Sequence, residues 1–554
     1  MALLRRRLQA VINERGTCVT CGYLLLGVPV SDDLKVTCPE CGGVTEVDAS
    51  IAELQQGASG AEFRPTVRVT RPVRTPQQCR RRRRLMLAVI GVAVLVLLTP
   101  LAMVGWNEVA MRIDAKRAAA TRPGALGLAA VIATLPPSTG EVVGWDEFQK
   151  VRAVIAKADA AVWQGEGALR DSRGDVVRPD YSWVGEVISE DFRGDRETAE
   201  ASRVIAERML TEMKKLGAFE QMKEMRRAGV LTPPFLFASG QPLIGVLLPE
   251  LAQCREMARI NKARALKALA ADDPDEFCDA VQNVHFIARL CEREPLVISR
   301  LVAVAIDALG DGVCKRALMT RHSAAWADAV ARGQVRRTPE VPYSYTLQGE
   351  RVVTIDSACF FYEDPTNVRR RQLELYSERM EKGSNIRVGR LHEALAEINA
   401  AYDAGVAAAA QEVSQRTDNP VVERSELWIV RTLLPALLKA QRSFDQIEAD
   451  RKGVEVMVAL ERYRAAHGGY PERLDELAPR FLSAVPIDAW ADLPYCYRRI
   501  DAAADPVGRG YLLYLRGRDK VDDGGKAGEF YLDALTNPKL RGIDYIINDE
   551  THVK

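Results

Sequence analysis

From Leu85 to Gly105 the chain runs 21 positions without a charged residue, directly behind the block Arg80 to Arg84. As a helix rising about 1.5 Å per residue, such a run spans about 30 Å, the thickness of a bilayer's hydrocarbon core. It predicts a transmembrane helix over 85–106, with Pro100 near its far end and Trp106 at the interface. A signal peptide would open the chain and carry a shorter apolar core, whereas this run follows a cysteine-rich module. Arg71, Arg74 and Arg80 to Arg84 precede it, against Arg112, Lys116, Arg117 and Arg122 after it. The positive-inside rule then puts the N-terminus in the cytoplasm and the C-terminal bulk beyond the membrane. The expected location is the cell inner membrane, with the lipid bilayer as a partner.

The segment in front of that run is a metal-binding cassette. Cys18, Cys21, Cys38 and Cys41 form two C-x-x-C pairs separated by sixteen residues, the spacing of a zinc ribbon over residues 1–48. Gly22 and Gly42 allow each knuckle to turn. Four thiolates close the coordination sphere, so a zinc held there is expected to be structural and not catalytic. A pair of dithiol redox centres is the alternative. Residues 1–84 carry 14 Lys/Arg against 8 Asp/Glu in a chain whose net charge is only +1. Within the cassette, however, Lys35 faces Asp32, Asp33 and Glu40, which argues against a phosphate-facing surface and against nucleic acid as a partner. Residues 49–84, with Gly57, Gly60, Pro65, Pro72 and Pro76 and no period, read as a linker ending in the basic stop.

Residues 107–449 read as a large helical domain. In "ADDPDEFCDAVQNVHFIARL", Asp273 is an expected N-cap, Pro274 the first helical residue and Glu276 the partner closing a capping box. Phe277, Ala280, Val281, Val284 and Ala288 follow at helical spacing. Flanking runs make three consecutive helices, the third apolar nearly all round and so expected to be central. No 34-residue self-similarity is present, which favours a non-repeating bundle. Later segments from Asn367 and from Val388 add two more helices. Between the helices, residues 342–365 are the least explained part of the chain, and Glu350, Arg351, Asp356 and Glu363 there are candidates to line a cleft. The five histidines never take a metal-ligand or triad-like spacing, and His285 and His392 are read as packing residues.

In the last hundred residues Val456, Leu460 and Tyr463 form a helical stripe, Gly468 and Gly469 end the helix, and "YCYRRI" and "YLLYLRG" read as short strands. With Tyr463, His467, Gly468, Tyr470, Pro471, Leu474, Leu477, Pro486, Asp488, Pro494 and Tyr497, residues 450–554 resemble the globular part of the major pseudopilin of type II secretion. The resemblance implies a long helix packed on a small antiparallel sheet. Ala489 and Leu493 depart from the family pattern, and its processing signal, a Gly followed by Phe-Thr-Leu-x-Glu, is absent, so assembly into a pilus is not implied. In that family the acidic loop after the last strand can hold calcium, which implicates Asp519, Asp522 and Asp523. Their mutual repulsion is a physical reason to hold a hard cation, and a solvated turn is the alternative.

The fold class expected is therefore multidomain and mainly α: a small zinc ribbon, one transmembrane helix, a large helical domain and a small α+β pseudopilin-like module. The whole arrangement also resembles uncharacterised membrane proteins of planctomycete bacteria, a likeness that implies no activity. The expected function is a membrane-anchored envelope scaffold or binding protein, with protein partners at the ribbon and the helical domain. The alternatives are a hydrolase or carbohydrate-active enzyme in the helical domain, and a transmembrane signalling or adaptor protein that uses an apolar patch at Tyr23 to Leu26.

Overall fold

The computed structural model describes residues 5, 6, 9, 18, 21–46, 105–134, 145–163, 196–228, 242–245, 248–334, 341–416, 420–526 and 542–549. The expected transmembrane run lies outside these residues except for Gly105 and Trp106. Among the described residues no helix is long and apolar enough to cross a membrane. The chain forms two compact units, Met1–Val109 and Ala110–Lys554.

In the first unit, β1 (Lys35–Thr37) pairs antiparallel with β2 (Val44–Glu46), Val36 opposite Thr45. Leu25, Val30 and Val36 pack against Cys18 and Cys38 as its small core. Gln9 binds both sides of the 28–30 backbone, donating to the Val28 carbonyl at 2.8 Å and accepting from the Val30 amide at 2.9 Å.

The second unit is mainly helical. Helix α1 covers residues 105–121, of which residues from Ala110 onward belong to this unit. It is followed by α2 (Gly124–Ile132), α3 (Trp145–Trp163), α4 (Arg196–Lys215), α5 (Ala218–Ala228), α6 (Pro249–Ala270), α7 (Pro274–Glu292), α8 (Val297–Thr320) and α9 (Ala324–Gly333). Then come α10 (Tyr343–Glu363), α11 (Pro365–Lys382), α12 (Leu391–Ala409), the short α13 (Pro420–Arg424) and α14 (Trp428–His467). Asp273 caps α7, its carboxylate accepting the Glu276 amide at 3.0 Å, and Phe277, Ala280, Val281, Val284 and Ala288 are fully buried. The expected capping box does not close: Glu276 turns sideways to take the Arg264 guanidinium at 2.6 Å, a charged partner outcompeting a backbone amide. Helix α8 is less apolar than expected. Ile298 is exposed, while Asp307, Asp311 and Lys315 lie on its buried face.

Residues 342–365, left unexplained by the sequence, are mostly helix α10. The β-branched stretch Val352–Ile355 obscures the helical pattern, but burial of Tyr345, Leu347, Val353, Cys359 and Tyr362 overrides propensity. Gly349 is required at the crossing, since a Cβ there would lie 1.9 Å from the Pro295 carbonyl oxygen.

Helix α14 is 40 residues long and ends in the left-handed Gly468. Beyond it, β3 (Ile487–Asp488) pairs with β4 (Leu493–Pro494), and β5 (Cys496–Arg499), β6 (Tyr511–Leu515) and β7 (Tyr545–Ile546) form an antiparallel sheet with β6 central. One hydrophobic core joins Val454, Met457 and Leu460 of α14 to Tyr511, Leu513 and Tyr545 of the sheet and to Phe277, Cys314 and Trp326 of the helices. The expected boundary at 449/450 therefore falls inside a continuous helix and a shared core. The buried Lys315 ammonium, on α8, meets the Asp450 carboxylate on α14, which also accepts the Tyr545 hydroxyl of β7 at 2.8 Å.

Candidate metal centre

The four cysteines of the ribbon are brought together by two equivalent knuckles. In the first, Gly22 has φ +77° and donates its amide to the Cys18 carbonyl at 2.8 Å, while the Cys18 amide returns to Tyr23 at 2.7 Å. In the second, Gly42 has φ +67° and bonds Cys38 at 2.9 Å, and Cys38 returns to Gly43 at 2.9 Å. Both glycines occupy the left-handed region that a side chain would strain. The strand pair β1–β2 carries the second knuckle in its turn.

All four sulfurs lie within 4.8 Å of one another, with Cys18 to Cys41 at 3.5 Å and Cys21 to Cys38 at 3.8 Å. A tetrahedron with metal–sulfur bonds of about 2.3 Å has edges of about 3.8 Å, so the set fits a metal ion such as zinc. The Tyr23 amide draws the Cys21 thiol down, but desolvation and the three neighbouring sulfurs outweigh it and push the thiol up to about 12. A bound cation would reverse that crowding by taking the sulfurs as thiolates. Around the first knuckle, Tyr23, Leu24 and Leu26 are exposed, while Leu25 is buried in the ribbon core.

The other residues singled out by sequence do not converge. Among the described residues only the four cysteines form a group of three or more ligands close enough to hold a metal. Asp519 accepts the Val521 amide at 3.0 Å, and Asp522 accepts the Gly524 amide at 3.0 Å and the Tyr514 hydroxyl at 2.9 Å. The amide of Asp523 goes to Asp544 at 3.1 Å. The carboxylates of Asp519 and Asp522 find local donors, and among the described residues the three aspartates do not gather closely enough to hold a cation. Asp544, which the sequence reading missed, is fully buried at the centre of this loop and pushed up to about 6, chiefly by desolvation and against the Gly525 amide.

The expected cleft of Glu350, Arg351, Asp356 and Glu363 is also not formed. Glu350 accepts the Val297 amide at 2.9 Å and so caps α8. Arg351 pairs with Asp403. Asp356, fully buried, accepts from Arg122 at 3.0 Å, the Gly124 amide at 3.1 Å and the Leu243 amide at 2.7 Å, and Glu363 takes the same arginine at 3.3 Å. These side chains tie helices together.

A buried ionic seam between α7 and α8 was not foreseen. His285 Nδ1 lies 2.7 Å from Asp307, and its Nε2 3.8 Å from Asp311. Gly310 admits the ring, as a Cβ there would stand 2.7 Å from its Cε1. Burial holds His285 down against the pull of Asp311, and burial pushes Asp311 up to about 6 against the pull of His285. The available signal was Asp307 and Asp311, one turn apart in a stretch otherwise rich in small and apolar residues.

No protein-family model matches the chain, and no curated protein or solved structure matches it.

Proposed function

We propose that the protein is a single-pass, membrane-anchored scaffold or binding protein of the cell envelope, with a structural zinc in a cytosolic ribbon and a helical bulk outside the cytoplasm. The observation that carries the zinc role is the convergence of Cys18, Cys21, Cys38 and Cys41, which fills a tetrahedron and leaves no position for water or substrate. The uncharged run 85–105 behind Arg80 to Arg84 supports the anchor and its orientation in an inner membrane. The pseudopilin-like reading of residues 450–554 is supported by its residue set and by a long helix lying on a three-stranded antiparallel sheet.

The test is sidedness together with metal content. A reporter joined after Lys554 is expected to act as extracytoplasmic and one before Met1 as cytosolic, with one zinc per purified chain. Cytosolic activity of the C-terminal fusion would overturn the anchor, and a metal-free, folded ribbon would overturn the zinc.

A second reading, a transmembrane adaptor whose ribbon contacts a cytosolic protein, is favoured by the adjacent exposure of Tyr23, Leu24 and Leu26. The enzyme reading has no such support, because its candidate residues are engaged in helix caps and ion pairs.

A further inference from the structure

At the junction of α7, α8 and α14 lies a cavity of about 130 Å³. Its lining follows helical spacing on all three elements: Arg289 and Glu292 from α7; Arg300, Val304 and Asp307 from α8; Phe444, Ile447 and Glu448 from α14. Each side chain is thus fixed by a rigid helix rather than a loop.

Two guanidiniums and three carboxylates around one hollow are unusual in a helix bundle. Arg289, Glu292 and Asp307 are almost fully buried. Arg289 pairs with Glu292, and Arg300 reaches the same carboxylate at 3.7 Å. The Val341 carbonyl holds Arg300 at 2.9 Å, with its guanidinium 5.5 Å from the Phe444 ring centre. Asp307 is backed by His285, and Glu448 takes Arg451 at 2.9 Å. Apolar side chains of similar volume could fill such a junction without desolvating any charge, and here both signs of charge are instead kept around an open space.

We propose that this cavity binds a small zwitterion, of the size of a free amino acid with a short side chain. The guanidiniums of Arg289 and Arg300 offer the planar fork that suits a carboxylate, while Asp307 and Glu448 offer acceptors to an ammonium group. Phe444, Val304 and Ile447 supply an apolar wall for the rest of the molecule. A lone anion would meet three carboxylates and a lone cation two guanidiniums, whereas a molecule bearing both charges complements both sets. The hollow, about 130 Å³, is well below the roughly 300–1,000 Å³ of pockets for drug-sized ligands, which favours a ligand of a few heavy atoms.

The experiment is thermal melting of the full-length protein in detergent, with glycine, L-alanine or L-serine up to about 50 mM, and with acetate or methylammonium as single-charge controls. The midpoint is expected to rise by about 2–5 °C with at least one zwitterion and to stay unchanged with either control. Val304→Trp, which fills the cavity without removing a charge, should abolish the rise. Glu448→Gln, at a half-exposed position, should weaken apparent affinity about tenfold through loss of a charged hydrogen bond. The proposal is overturned by the absence of any zwitterion response, by an equal response to acetate or methylammonium, or by a response that survives Val304→Trp. Should that variant not fold, undiminished affinity in Glu448→Gln overturns it instead.

Discussion

Glu294, in the turn between α7 and α8, provides a sharp test of how this bundle treats buried charge. Its side chain is 1% exposed, accepts the Ser299 hydroxyl and hydrogen-bonds Glu250 of α6. Burial pushes it from 4.5 up to about 8, with the Ser299 bond opposing and Glu250 adding to the rise. The folded protein therefore keeps a proton there across a pH range in which the unfolded chain has released it. Stability from this group is fully present below about pH 4.5 and is lost as pH rises through about 8. The gap between 4.5 and about 8, at about 1.4 kcal/mol per tenfold change in proton affinity, sets a ceiling of about 5 kcal/mol. Relaxation and water entry reduce this, so about 2–5 kcal/mol is expected. Glu294→Gln keeps the shape and a donor toward Glu250 but cannot ionise. Denaturant unfolding of wild type and variant at about pH 5, 7 and 9 should give nearly equal stabilities at the lowest pH. The variant should gain steadily to about pH 8 and level off above it. Asp311 and Asp544, both pushed up to about 6, titrate in both proteins and cancel in the difference. A difference independent of pH, or a variant weaker at pH 9, would refute the reasoning.

Cys38→Ser should remove zinc and unfold the ribbon, because structural zinc supplies about 10–16 kcal/mol to modules of this kind; one zinc still bound per chain, measured by atomic absorption, would count against it. Lys315→Met strands the Asp450 carboxylate between α8 and α14 and should cost about 3–5 kcal/mol in denaturant unfolding, and a loss below about 1 kcal/mol would show that the pair is not desolvated. Calcium in the millimolar range should leave thermal melting unchanged, since Asp519 and Asp522 are spent on local amides and hydroxyls; a clear rise would show the loop regrouping around the cation.

The helices from Pro249 to Thr320 were legible because the chain punctuates them, most plainly at Asp273–Pro274. Helix α10 was not, because its β-branched residues and a mid-helix glycine hide the period, and only the approach to Pro295 explains Gly349. The ribbon was legible at the level of ligands, since C-x-x-C spacing is a local constraint that the fold cannot alter. The seam of His285, Asp307 and Asp311 was hidden because its members sit on two helices and become neighbours only in space. The acidic loop misled for a related reason. Repulsion among three nearby carboxylates is visible in sequence, but the donors that reach Asp519 and Asp522, and the buried Asp544 that takes the Asp523 and Gly525 amides, are not.

Helix α14 has a mechanical consequence. Its first turns pack Ile429, Val430 and Leu434 among the later helices, its middle places Ala440 and Phe444 beside α8, and its last turns carry Val454, Met457 and Leu460 into the core shared with the sheet. One rod thus passes through three separate packing regions, and a force applied to the C-terminal sheet is delivered along its axis into the centre of the bundle. A chain cut near residue 450 would divide that rod and open apolar surface on both pieces, so the sheet can neither be detached nor loosened without the helices beneath it sensing the change.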